Sequence, residues 1–410
     1  MNREPSLNKR GIILKKKGWI YFSQFFFSVF LFTLSAYMTS CQSASQDKKK
    51  IVTDSTLVKI PDPGFLPEAE RNYIYQQCRH WYDSVLKNSG FNGGILVAKN
   101  GNIVFEEYKG TAHLRGIDSI NAETEFHIAS VSKTFTAMAV LKLWENKKVQ
   151  LDSSFSYYFP SFNYPGVTIR TMLDHRSGLP NYLYFMEDLG WDKSKYLTNQ
   201  DVLDTLIARK QDIKNIGKPD TRFTYCNTNY ALLALLVEKV SGQSFSHFMD
   251  STFFKPLQMA HTFIYKPSDS ARITPSYDWR GVEIGEGYLD RVYGDKNVYS
   301  NVRDLLRWDK ALSKTSLLQK NTLDQAYTPY SNERPGIKNY GLGWRMNIYP
   351  NNKVIFHNGW WHGNNAVFIR LIPQDATIIV TGNRYTNAIY KAKDLIGLFL
   401  NESVVDDITE

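Results

Sequence analysis

The chain has 410 residues, of which 43% are hydrophobic, 14% aromatic and 22% charged. That composition excludes a disordered chain and a multi-pass membrane protein, and it provides for a large core or two lobes. Of the formal net charge of +9, nine basic against two acidic residues up to Lys50 supply +7, so the rest of the chain is nearly neutral and no nucleic-acid-binding face is expected.

Residues 1–40 have the layout of an export signal. Lys15, Lys16 and Lys17 precede an uncharged run containing FFFSVFLFTL, which closes on small residues. The apolar block is short for a membrane span, which takes about 20 apolar residues. The run from Ala36 to Cys41 resembles a bacterial lipobox, with Met38 where Leu is usual. Cleavage there makes Cys41 the lipidated first residue, and an uncleaved anchor is the alternative. Gln42 in place of Asp points to the outer membrane, so the expected location is the bacterial cell envelope. Residues 41–66 read as a flexible tether, 67–400 as the folded domain and 401–410 as a tail.

Helical periodicity is expected from Glu68 to about Lys87, ended by Asn88-Ser89-Gly90. Gly93 to Ala98 and Ile103 to Tyr108 are strand-like runs joined through Asn100-Gly101, a strong hairpin signal. Helices are expected at Ser130 to Asn146, Thr198 to Ile207, Asn227 to Lys239, Ser244 to Phe254 and Asn301 to Leu312. Val354 to Phe356, Ala366 to Ile372 and Thr377 to Thr381 are again strand-like, before an amphipathic helix from about Asn387 to Leu400. The expected fold is therefore of the α/β class in its α+β form. An antiparallel sheet is built from both chain ends and flanked by helices, with a mostly helical lobe over about 130–326.

Three segments carry chemistry. Ser130-Val131-Ser132-Lys133 sets a hydroxyl and an amine one helical turn apart on one face, a nucleophile and base pair, though the pattern equally describes a helix cap with a surface lysine. Tyr225-Cys226-Asn227 offers a phenol for proton transfer and an amide for a substrate carbonyl, or else a packed ring and a helix cap. His357-Asn358-Gly359-Trp360 ends a strand, where the glycine admits a close backbone approach and an edge can offer N–H groups to a substrate; a structural histidine and core tryptophans are the alternative. The scattered histidines contain no metal-ligand pattern, and no metal site is expected. With Cys41 acylated, Cys78 and Cys226 remain, and the sequence does not decide whether they pair.

Taken together and in this order, the three boxes resemble the serine β-lactamase and penicillin-binding protein superfamily, in its class C-like branch. Val167 to Pro180, Val298 to Leu305 and Tyr340 to Trp344 resemble further segments of that branch, so the resemblance spans about Gly93 to Tyr390. It implies a β-lactamase/transpeptidase-like fold with no cofactor. Ser130 would form an acyl-enzyme, Lys133 would take or relay its proton, and Tyr225 would act as base and then acid. Asn227, His357, Asn358 and Gly359 would bind substrate, and the backbone N–H groups of Ser130 and Trp360 would form the oxyanion hole.

His357 and Asn358 depart from the Lys and Thr of penicillin-hydrolysing members, which makes strong β-lactamase activity doubtful. The expectation is an envelope-anchored serine hydrolase acting on an amide or ester substrate. A D,D- or D-amino-acid peptidase on cell-wall peptides and a catalytically silent muropeptide-binding protein are the alternatives. The substrate, the oligomeric state and the choice between hydrolysis and acyl transfer are not legible.

Overall fold

The computed structural model describes residues 57–314 and 317–400; the export signal, Cys41, the tether up to residue 56 and the tail lie outside the described residues. Seven strands form one antiparallel sheet: β1 (Gly93–Lys99), β2 (Asn102–Lys109), β3 (Lys338–Tyr340), β4 (Arg345–Ile348), β5 (Lys353–Trp361), β6 (Asn364–Leu371) and β7 (Ala376–Gly382). Their spatial order is β2-β1-β7-β6-β5-β4-β3, so β1 pairs with β7 and the two chain ends share the sheet. The β1–β2 hairpin turns on Asn100 and Gly101, both with positive φ, as a two-residue turn matched to strand twist requires.

Helices cover both faces, which explains why the central strands are apolar on both sides. On one face Leu96, Ala98, Ile355, Phe368 and Ile379 join the main core. On the other, Ile95, Val97, Val354, Val367, Ile369 and Val380 join a second core, closed by helix α1 (Glu68–Trp81) and the C-terminal segment Asn387–Leu398. The main core is built on α2 (Ser132–Glu145) and α3 (Asn227–Ser241), both apolar nearly all round and therefore internal. The amphipathic α4 (Val302–Lys314) lays its apolar side against β1 and β7. Shorter helices at Ile169–Leu173, Tyr182–Asp188, Asn199–Ala208, Phe245–Met249 and Lys320–Ala326 complete the helical part.

The observed elements differ from the expected ones in physically instructive ways. The first helix runs on past Trp81 as a wider π turn at Tyr82–Leu86, and the helix expected from Ser130 begins at Ser132, after a tight 3-10 turn at Ala129–Val131. The segment Asn387–Leu398 is wound as 3-10 turns. Cys78 and Cys226 are both free and buried, one in each core. Burial pushes the Cys78 thiol up to about 12 and raises that of Cys226, so both are unreactive fillers.

One buried ion pair ties α4 to the sheet. Arg370 on β6 is fully buried; its Nε donates to Asp309 Oδ1 at 2.5 Å and its Nη2 to Ser313 Oγ at 2.7 Å, while Thr377 Oγ1 donates to Asp309 Oδ2 at 2.6 Å. Removing one partner of such a pair strands the other charge in the core. Asp309→Ala is expected to lose about 3–5 kcal/mol of stability in urea denaturation; a change below about 1 kcal/mol would show that the pair is dispensable.

Candidate active site

The turn before α2 holds Ser130 in a strained and well-supported position. Ala129 has φ of +48°, a conformation that a residue with a Cβ seldom adopts. His127 supports it: its Nδ1 accepts from the Ala129 N–H at 3.1 Å, and its Nε2 donates to Asn297 Oδ1 at 2.9 Å. Asn297 Nδ2 donates to the carbonyls of Asp290 and Val292, which leaves Oδ1 as the acceptor and fixes the imidazole tautomer. From the other side, Gly359 of β5 presses on the same turn. A Cβ there would stand 2.3 Å from the Ile128 carbonyl oxygen and 3.1 Å from Ala129 Cβ, so only glycine lets the strand approach the nucleophile this closely.

Ser130 is partly exposed, whereas Lys133, one turn further on, is fully buried. Its Nζ donates to Ser130 Oγ at 3.0 Å and to the Asp295 carbonyl at 2.8 Å. The same Nζ lies 5.0 Å from the centroid of the Tyr225 ring and 5.8 Å from that of Tyr230. The first two boxes therefore converge on one amine. The surface-lysine alternative for Lys133 is excluded by its burial. Asn227 is the first residue of α3, and Cys226 occupies the cap position without a side-chain cap. The Asn227 Oδ1 is buried and has no hydrogen-bond partner, which leaves an acceptor at the start of the helix.

The third box divides between the two faces of β5. His357 is fully buried on the side of Gly359; its ring lies 6.2 Å from that of Tyr225. Its Nδ1 contacts the Asn358 carbonyl at 2.7 Å and must donate, so Nε2 accepts from the Tyr340 hydroxyl at 3.2 Å. Asn358 lines a cavity on the other side of the strand. Trp360 is 63% exposed, with its Nε1 donating to the His362 carbonyl at 2.8 Å. Trp361 turns inward, its Nε1 bonded to Asp290 Oδ1 at 2.6 Å beneath the buried Lys296. Pairing of β5 with β4 ends at Phe356, so among the described strands the edge from His357 onward is open beside Ser130.

Several site residues escaped the sequence reading. The His175 ring lies tilted against that of Tyr225 with centroids 4.4 Å apart, and its Nδ1 accepts from the Cys226 N–H at 3.1 Å, tying the backbone next to the phenol. Its only sequence signal is a lone histidine inside the Val167–Pro180 segment. Arg345 places its guanidinium 5.0 Å from the Tyr225 ring centroid, and Asp295 and Lys296 belong to a loop with no recognisable pattern. Among the described residues, no three His, Cys, Asp or Glu side chains come together as a metal-ligand group.

Three imidazoles at the site are neutral. Burial lowers His127 to about 4 and holds His175 and His357 well below 6.5, with Lys133 among the groups that disfavour a further charge on the latter two. An unfolded histidine titrates near 6.5, so the unfolded chain binds more protons between that value and the folded one, and stability is lost as pH falls through this window. Asp174, raised to about 7 by burial, acts in the opposite sense, so the contribution of one histidine is best read as a difference. His127→Gln should flatten the fall in stability between pH 6.5 and 4.5 by up to about 1.4 kcal/mol per pH unit; urea midpoints measured at several pH values with an unchanged slope would contradict it.

Comparison with known proteins agrees with this geometry. Residues 81–396 match the family model described as Beta-lactamase. Penicillin-binding protein 4* of Bacillus subtilis is 31% identical over 338 residues, covering 77% of this chain and 74% of that protein. A putative penicillin-binding protein, PbpX, of the same organism is 26% identical, covering 73% and 71%. Among solved structures, a penicillin-binding protein from Bacillus halodurans superposes with a TM-score of 0.69 at 25% identity, over 78% of this chain and 99% of that one. An octameric penicillin-binding protein homologue from Pyrococcus abyssi superposes with a TM-score of 0.65 at 23% identity, over 80% and 77%, and shows the shared fold.

Proposed function

Because the chain belongs to the beta-lactamase family of serine hydrolases related to the penicillin-binding proteins, we propose that it is an envelope-anchored hydrolase that cleaves an amide or ester through acyl-Ser130. The observation that carries this reading is the 3.0 Å contact between Lys133 Nζ and Ser130 Oγ beneath the Tyr225 ring. In the first step Ser130 Oγ bonds to the carbonyl carbon while its proton passes to Lys133 or Tyr225 and on to the departing group. Water then attacks the acyl-enzyme by the same route in reverse. Asn227, with its unpaired Oδ1, orients the substrate amide. The N–H groups of Ser130 and Trp360 receive the oxyanion, a contribution whose loss typically costs about 3–4 kcal/mol in the transition state. Anchoring through Cys41 is supported by the lipobox-like run before it, and an outer-membrane location by Gln42.

The open edge of β5 beside Ser130 also suits an extended peptide, which favours a D-amino-acid peptidase as the second reading. A neutral His357 offers no fixed charge to a β-lactam carboxylate. Nitrocefin is therefore expected to be a poorer substrate than p-nitrophenyl acetate, and D-Ala-D-Ala peptides separate the two readings. A fluorescent fluorophosphonate should label the protein and fail to label Ser130→Ala. Lys133→Ala should lower ester turnover by about 10²- to 10⁴-fold. Labelling that survives loss of Ser130 would remove the hydroxyl from its role.

A further inference from the structure

Two short turns adjoin the N–H groups assigned to the oxyanion, and each contains a residue strained in the same way. Ala129, just before Ser130, has φ of +48°, and His362, two residues after Trp360, has φ of +52°. Neither is glycine, so each turn depends on support from outside itself. Both receive it from one loop, residues 287–297.

On the nucleophile side the support is a relay. The Ala129 N–H donates to His127 Nδ1 at 3.1 Å, His127 Nε2 donates to Asn297 Oδ1 at 2.9 Å, and Asn297 Nδ2 donates to the Asp290 carbonyl at 2.7 Å. On the strand side it is direct. The Asp290 carboxylate accepts from the Trp361 indole N–H on Oδ1 at 2.6 Å and from the Gly287 N–H on Oδ2 at 2.5 Å, and His362 Nε2 lies 3.0 Å from Oδ2. Asp290 is only 7% exposed. Burial by itself would push its carboxyl up, but His362 and the two N–H donors outweigh it and hold the group below the usual carboxylate range. A buried, ionised carboxylate with such donors is a stiff junction, because displacing it leaves a buried polar group unpaired. One residue therefore reaches toward Ser130 through its main chain and toward Trp360 through its side chain.

We propose that Asp290 is a positioning residue that fixes the gap between the two oxyanion-hole N–H groups, one on the Ser130 turn and one on β5. The inference rests on the acyl-Ser130 reading, with its oxyanion hole at Ser130 and Trp360. Asp290 acts through Trp361 and His362 on one side and through Asn297 and His127 on the other. A displacement of about 1 Å at such a site can cost about a hundredfold in rate.

The test compares p-nitrophenyl acetate with its thionoester, in which sulfur, a weak hydrogen-bond acceptor, replaces the carbonyl oxygen. The purified protein is expected to prefer the oxygen ester in kcat/KM. Asp290→Ala should lower kcat for the oxygen ester by about 10- to 100-fold and cut that preference by about tenfold, because the thionoester has less to lose from a misplaced donor. Asp290→Asn, which keeps an oxygen for the Trp361 indole, should lose less, and it decides the matter if Asp290→Ala does not fold. No preference in the unaltered protein would overturn the inference. So would a preference unchanged in a folded variant, whether both rates fall together or neither falls, and that result would leave acyl-Ser130 intact. Turnover of either ester by Ser130→Ala would instead overturn the reading beneath it.

Discussion

Lys133 has its side chain fully removed from water, and its amine is satisfied by two oxygens, Ser130 Oγ and the Asp295 carbonyl. Burying an amine without partners costs several kcal/mol, so the elements that bring those oxygens into place are effectively conditions of the fold. The 3-10 turn must hold Ser130 at the start of α2, and the loop preceding Val298 must return the Asp295 carbonyl to the first turn of the same helix. The strained Ala129, the His127 clamp and the bare Cα of Gly359 all serve the first condition. The second is met by a buried set in which the Tyr182 hydroxyl donates to Asp295 Oδ2 at 2.9 Å while Lys296 lies 3.6 Å from that oxygen.

Around this amine the protein uses histidines as uncharged spacers. A second cation about 5 Å away would cost about 3 kcal/mol at the effective dielectric of a protein site. His175 and His357 sit within ring contact of Tyr225 yet remain neutral, each with one nitrogen fixed by a hydrogen bond. They can therefore shape the phenol's surroundings without repelling Lys133. Arg345, a cation that burial cannot neutralise, reaches the phenol from strand β4, its guanidinium 5.0 Å from the ring centroid.

Much of this was legible in the sequence where one local rule governed the outcome. The Asn-Gly hairpin, the apolar α2 and α3, and the strands at both chain ends follow from turn chemistry and hydrophobic runs, and the three boxes lie together as their order suggested. The rest depends on tertiary context. Strands β3 and β4 carry Lys338, Asn339, Arg345 and Asn347, too polar to read as strand, because they close the sheet at a partly solvated edge. The division of His357 and Asn358 between opposite faces follows from strand alternation once β5 is known to continue through the box. The role of His175 arises from a fold that returns a loop beneath residue 225, some 50 positions later, and no pattern in one sequence encodes that contact.

The pairing of β1 with β7 has a consequence for how the molecule comes into being. Gly93 lies opposite Gly382, so the centre of the sheet closes a loop of nearly 290 residues. Long-range closure of this kind slows folding, because the chain gives up its entropy before the contact rewards it. A chain emerging from its N-terminus holds β1 and β2 with one flank unsatisfied until almost the whole sequence is available. The strand that supports the nucleophile arrives in the same late portion. Ser130 thus acquires its surroundings only when synthesis is nearly finished, and a reactive hydroxyl is not assembled on a partial chain.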